Sequence, residues 1–165
     1  MTYNPEIHHR SSVRLKEYDY SLNGLYFITV CAQDKKCLFG KITDGTMRLN
    51  DAGKIVEHTW FDLPNHNTNI NLLEFIIMPN HIHGIIQLVG AGSKPAQATP
   101  LSELVRQFKT FSSKRINLSN NTEGNKIWQR NYYEHIIRNQ HSYEEISDYI
   151  ITNPLRWEKD QLFSL

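Results

Sequence analysis

Short apolar runs along this chain alternate with stretches whose apolar positions share one side of a helix. Residues 25–31 (LYFITVC), behind Gly24, are β-branched and aromatic and predict a strand. Residues 38–42 and 46–49 flank Asp44-Gly45, a hairpin signal. Asn50 or Asp51 can cap a helix with Ile55, Val56, Thr59, Trp60 and Leu63 on one side, and Pro64 is expected to end it. Residues 72–78 predict a second long strand, Pro79-Asn80 a tight turn or bulge, and residues 81–89 a third strand. Residues 90–98 are small and polar and read as a loop. Thr99-Pro100 opens a helix with proline at its first position; Leu101, Leu104, Val105, Phe108 and Phe111 form its apolar stripe. Its other side carries Arg106, Lys109, Lys114 and Arg115. Residues 127–137 predict a strand leading into irregular chain. Ser142 and Glu145 form a capping box for a last helix, which must stop near Asn153 because Pro154 follows.

Strands mixed with helices, several joined as hairpins, predict an α+β fold: a mainly antiparallel sheet with helices packed on one face. A length of 165 residues with 39% hydrophobic positions is enough for one domain with one core. Residues 1–23, polar and aromatic with Arg10, Arg14 and Lys16, read as an N-terminal arm on a core of residues 24–160. The net charge is only +1, so any nucleic-acid surface must come from local clustering. Cys31 and Cys37 lack zinc-ligand spacing and make a poor disulfide framework, so both are expected as reduced thiols of a cytoplasmic protein. No apolar stretch is long enough for a membrane span, and the N-terminus lacks an apolar signal region.

Three segments carry candidate chemistry. In His81-Ile82-His83, alternate side chains of a strand share a face, so two imidazoles project together while Ile82, Gly84, Ile86 and Leu88 face the core. Two such nitrogens can hold one divalent cation with a third ligand from elsewhere. On spacing alone, two histidines on a solvated face are the plainer explanation. Tyr149 and Asn153 lie one helical turn apart, with Ile146 and Ile150 beside them as anchors. A tyrosine hydroxyl can attack a phosphodiester, and an asparagine carbonyl can ligate a metal. A boundary tyrosine and a helix-terminal asparagine are the plainer alternative. Finally, residues 128–138 (WQRNYYEHIIR) place Trp128 beside Arg130 and Arg138, a composition suited to bases and phosphates of single strands. A core strand with a polar edge fits the same residues, and Lys109 can belong to an ordinary solvated helix face.

Taken together, the segments resemble the single-tyrosine transposases of small bacterial insertion sequences, and within them the REP-associated branch. Residues 78–84 (MPNHIHG) are similar to the family's His-hydrophobic-His signature, residues 14–20 (RLKEYDY) with 24–27 (GLYF) to its N-terminal segment, residues 128–138 to its distal block, and residues 149–154 (YIITNP) to its catalytic helix. The likeness runs from about Arg10 to Asp160. It implies a ferredoxin-like or RRM-like fold, Mg²⁺ or Mn²⁺ held by His81 and His83 with Asn153 as a further ligand, and Tyr149 as nucleophile. Asn153 stands where insertion-sequence relatives carry Gln. The resemblance also implies single-stranded DNA hairpins as substrate, cleaved and rejoined through a 5′-phosphotyrosine. Arg10, Arg14, Lys109, Trp128, Arg130 and Arg138 are the candidate DNA contacts, and a homodimer is one assembly open to such a protein. Two other classes stay open from the residues: a non-catalytic nucleic-acid-binding module and a metal-dependent nuclease that uses water.

Overall fold

The computed structural model describes residues 24–90 and 98–164. Arg10, Arg14 and the rest of the expected arm lie outside the described residues, as does most of the loop after Gly90. Six strands and three helices follow in the order β1 (Gly24–Cys31), β2 (Gly40–Thr43), β3 (Thr46–Leu49), α1 (Asp51–His66), β4 (Ile70–Met78), β5 (His81–Leu88), α2 (Leu101–Asn120), β6 (Tyr133–Ile137) and α3 (Gln140–Thr152). A short 3-10 turn covers Gln33–Lys35, and a longer 3-10 segment, Asn153–Lys159, continues α3.

β4, β5, β1 and β6, in that order, form a four-stranded sheet in which every neighbouring pair is antiparallel. Without the β2–β3 hairpin, the chain runs β–α–β–β–α–β, the ferredoxin-like arrangement. Tyr26, Ile28, Val30, Ile82, Ile86 and Leu88 point to one face and pack with Val56, Trp60 and Leu63 of α1 and Leu104 and Phe108 of α2. Gly84 lies on this face because a Cβ there would meet the Trp60 ring at 2.6 Å. That ring stacks on Phe75 at 4.4 Å and has nowhere to retreat. On the opposite face Phe27, Ile85 and Ile137 pack against Ile150 of α3. One-face packing thus describes α1 and α2, whereas α3 covers the side that carries the histidines.

Four local expectations are corrected. Pro64 does not end α1, which runs on to His66, so the helix continues for half a turn past a residue that forgoes its own i→i−4 bond. Pro100 is the N-cap of α2 rather than its first residue, and its carbonyl accepts from Glu103 and Leu104. α3 starts before Ser142: the Asn139 side chain accepts from the Ser142 amide at 2.8 Å, and asparagine caps as well as serine does. Residues 127–132 are not a strand. The Lys109 ammonium binds the carbonyls of Gln129, Arg130 and Asn131 at 2.9–3.3 Å, drawing them away from a ladder. Only an isolated bridge, Ala32 to Trp128, precedes β6. Among the described residues no helix is long and apolar enough to cross a membrane.

Candidate active site

β5 carries His81 opposite Cys31 and Met78, and His83 opposite Thr29 and Ile76. The two rings share a face, as strand geometry requires. That face is not solvated: His81 is 0% and His83 2% exposed. Their Nε2 atoms approach to 3.0 Å. The outer nitrogens are held, His81 Nδ1 by Asn80 Oδ1 at 2.7 Å and His83 Nδ1 by Thr29 Oγ1 at 2.8 Å. Phe27 stacks on the His83 ring at 5.4 Å, and Trp157 flanks His81 at 6.0 Å.

Burial disfavours charged imidazole. It pushes the His81 pKa down to about 4, against the pull of the Asp160 carboxylate and with a smaller push from Lys35. Burial, and then His81, hold His83 well below its ordinary value. Both rings are therefore neutral near pH 7, the state in which imidazole binds metal.

α3 brings Tyr149 over this pair. Its hydroxyl is 3.3 Å from His83 Nε2, and its ring lies 5.1 Å from that of His83. Ile150, next to it, is buried and Ile146 packs on the same cluster, while Tyr149 itself stays 38% exposed. Burial raises the Tyr149 pKa above 10, the Asp160 charge adds to the shift, and a hydrogen bond from the Asn153 side chain opposes it. Asn153 is 1% exposed, and its Oδ1 makes no hydrogen bond among the described residues.

A residue without any signal in the sequence completes the cluster. The 3-10 segment after α3 turns Asp160 back toward β5, with Oδ2 4.0 Å from His81 Nε2. Its other oxygen accepts from the Leu162 amide at 2.7 Å, which fixes the carboxylate. Ligand atoms of His81, His83 and Asp160 all lie within 4.8 Å of one another. Two neutral imidazoles and one carboxylate are a donor set that fits a divalent cation.

The expected DNA contacts divide. Trp128 is buried, donates from Nε1 to Ser112 Oγ at 2.8 Å and packs between Phe39 and Phe108. Lys109 is occupied by three carbonyls, as above, and desolvation lowers its pKa to about 8. Trp128 is thus committed to the interior, whereas Lys109 is half-buried with its ammonium held on those carbonyls. Arg130 and Arg138 are exposed. On α2, Arg115 reaches Asp62 and Thr59 of α1, and Arg106 pairs with Glu103, so the helix's basic side is largely neutralised.

A Haemophilus influenzae protein described only as "Uncharacterized protein" is 44% identical over 176 residues, covering 98% of this chain and 97% of its own. A second protein of that organism, described as "Putative REP-associated tyrosine transposase", is 29% identical over 143 residues, 84% of this chain and 74% of that one. Among solved structures, a REP-associated tyrosine transposase bound to a REP hairpin shares the fold with a TM-score of 0.62 at 23% identity, covering 86% of this chain and 74% of that chain. The family model "Transposase IS200 like" matches residues 51–153, a span that takes in both histidines, Tyr149 and Asn153. The chain belongs to the IS200-like transposase family.

Proposed function

We propose that this transposase cleaves and rejoins single-stranded DNA with Tyr149 as nucleophile. The observation that carries the reading is the Tyr149 hydroxyl 3.3 Å from His83 Nε2, at the edge of a buried cluster of metal-ligand type. His81, His83 and Asp160 would hold Mg²⁺ or Mn²⁺, with Asn153 Oδ1 as a further donor. A divalent cation there supplies positive charge that offsets the charge building on a phosphate oxygen at the scissile bond. The chain's own groups do the rest. Ile146 and Ile150 anchor α3, so the phenol is held over β5 rather than free in solvent. Phe27, edge-on to Tyr149 at 6.3 Å and stacked on His83, walls the site.

In the reaction the Tyr149 oxygen bonds to phosphorus and the bond from phosphorus to the 3′ oxygen breaks. The phenol loses its proton and the departing 3′ oxygen takes one up, directly or by way of solvent. The products are a 5′-phosphotyrosine and a free 3′-hydroxyl. Attack by a 3′-hydroxyl on the phosphotyrosine reverses the bond changes and joins strands, so the energy of the original linkage is kept. Hairpin DNA is the substrate favoured, supported by the REP hairpin named with the similar solved structure. The test is incubation with hairpin-bearing single-stranded oligonucleotides and Mn²⁺ or Mg²⁺, followed by denaturing electrophoresis. A covalent adduct is expected, absent from Tyr149→Phe and mapping to Tyr149. Cleavage by Tyr149→Phe would instead identify a nuclease using water.

A further inference from the structure

Just outside the cluster, Asn80 is 1% exposed and spends its whole amide on four neighbours. Its Nδ2 donates to the carbonyls of Lys35 at 3.1 Å and Leu162 at 2.7 Å, with Ser164 Oγ at 3.1 Å. Carbonyls cannot donate, so this end must be the amino group. The end facing His81 Nδ1 at 2.7 Å is then the oxygen, which can only accept. His81 must therefore carry its proton on Nδ1. The Lys35 carbonyl reaches Asn80 from a strained turn: Asp34 and Lys35 both take left-handed conformations, at φ 56° and 53°, which side chains with a Cβ rarely adopt. The Asn80 carbonyl in turn accepts from Ala32 at 2.8 Å, tying the turn to the start of β5.

We propose that Asn80, braced by the strained Asp34-Lys35 turn, is a positioning residue that fixes the His81 tautomer and leaves the Nε2 lone pair aimed at His83 Nε2. The proposal rests on the reading that this pair holds a divalent cation. A neutral imidazole has one lone pair, and a tautomer with hydrogen on Nε2 would put a proton where the metal bond has to form. Partners of this kind fix ring orientation and ligand basicity at metal sites.

The experiment uses metal-free protein with ¹⁵N-labelled histidine. Long-range ¹H–¹⁵N correlation reads which nitrogen of each ring is protonated, and calorimetry reads Mn²⁺ affinity; neither involves DNA. Wild type is expected to show His81 protonated on Nδ1. In Asn80→Ala the proton should shift to or share Nε2, with Mn²⁺ affinity about 10–100-fold lower. Asn80→Asp restores an acceptor for Nδ1 but donates nothing to Lys35 or Leu162. It should melt earlier yet keep the tautomer and an affinity within a few-fold of wild type. If Asn80→Ala fails to fold, the wild-type spectrum and Asn80→Asp decide. Wild-type His81 protonated on Nε2, unchanged affinity in Asn80→Ala, or an equal loss in both variants would overturn the proposal. Wild type without Mn²⁺ affinity would sink the metal reading, while the tautomer measurement would still judge Asn80.

Discussion

An imidazole in water keeps its proton up to about pH 6.5, whereas the fully buried His81 keeps it only up to about pH 4. Between those values the unfolded chain binds protons that the folded chain refuses, so stability must rise with pH across that window. Metal-free protein should therefore lose stability as the pH falls from 6.5 toward 4, and a melting-temperature series would show it. A flat series would mean that the rings are not sealed. For the same reason Mn²⁺ should still bind at pH 5.5, where an ordinary histidine is largely protonated. Lys109 gives a second residue-scale prediction. Lys109→Met leaves three carbonyls short of a donor and should cost about 1–2 kcal/mol, while the salt dependence of DNA binding stays as in wild type. At this scale the sequence announced residue types but not surroundings. Alternation in His-Ile-His placed two rings on one face, yet nothing local said that the face would be covered. Asp160 was invisible because only the return of the chain after Pro154 brings it to His81, 79 positions away. Trp128 looked like a base-stacking residue because composition cannot tell a tryptophan facing DNA from one donating to Ser112.

Two contacts decide where the elements sit. α3 is tied to β4 by the Tyr143 hydroxyl, which donates to Glu74 Oε1 at 2.6 Å. An irregularity between Leu72 and Phe75 shifts the β4 register there, as a bulge that re-aims a side chain does. Tyr143→Phe leaves a half-buried carboxylate with less support, since Glu74 Oε2 already lacks a partner among the described residues. The expected loss is about 1–3 kcal/mol, with slower adduct formation because α3 also carries Tyr149. Unchanged rates in single-turnover assays would show that Ile146 and Ile150 suffice to hold the helix. On the other face, Gly84→Ala forces a methyl group against Trp60 and should destabilise by about 1–3 kcal/mol by denaturant titration. The elements themselves were largely readable. β1, β4 and β5 follow from their apolar β-branched and aromatic runs, the β2–β3 hairpin from Asp44-Gly45, and α1 from its Asn50 cap. The errors fell at ends, where Asn139 outcompeted Ser142 as a cap, and in residues 127–132, where a lysine from another helix took the backbone carbonyls.

For the molecule as a whole, a net charge of +1 gives little general attraction to DNA. Binding must come from a few phosphate contacts, with a logarithmic salt slope of about −0.7 per contact for single strands. If exposed Arg130 and Arg138 supply two of these, alanine at either should flatten the slope by about that amount for every sequence tested. Salt-independent affinity would remove both from the interface. The sheet order was within reach of the sequence once the β–α–β–β–α–β pattern was seen, because a hairpin and two crossover helices leave few pairings. The placement of α3 was not, since an amphipathic helix does not say which side of a sheet it will cover. That placement has an optical consequence. Trp60 and Trp128 belong to the cluster on the far side of the sheet, whereas Trp157 sits 6.0 Å from the His81 ring. A quenching ion such as Co²⁺ at the histidines should darken one indole of three, making Trp157 emission a label-free gauge of site occupancy.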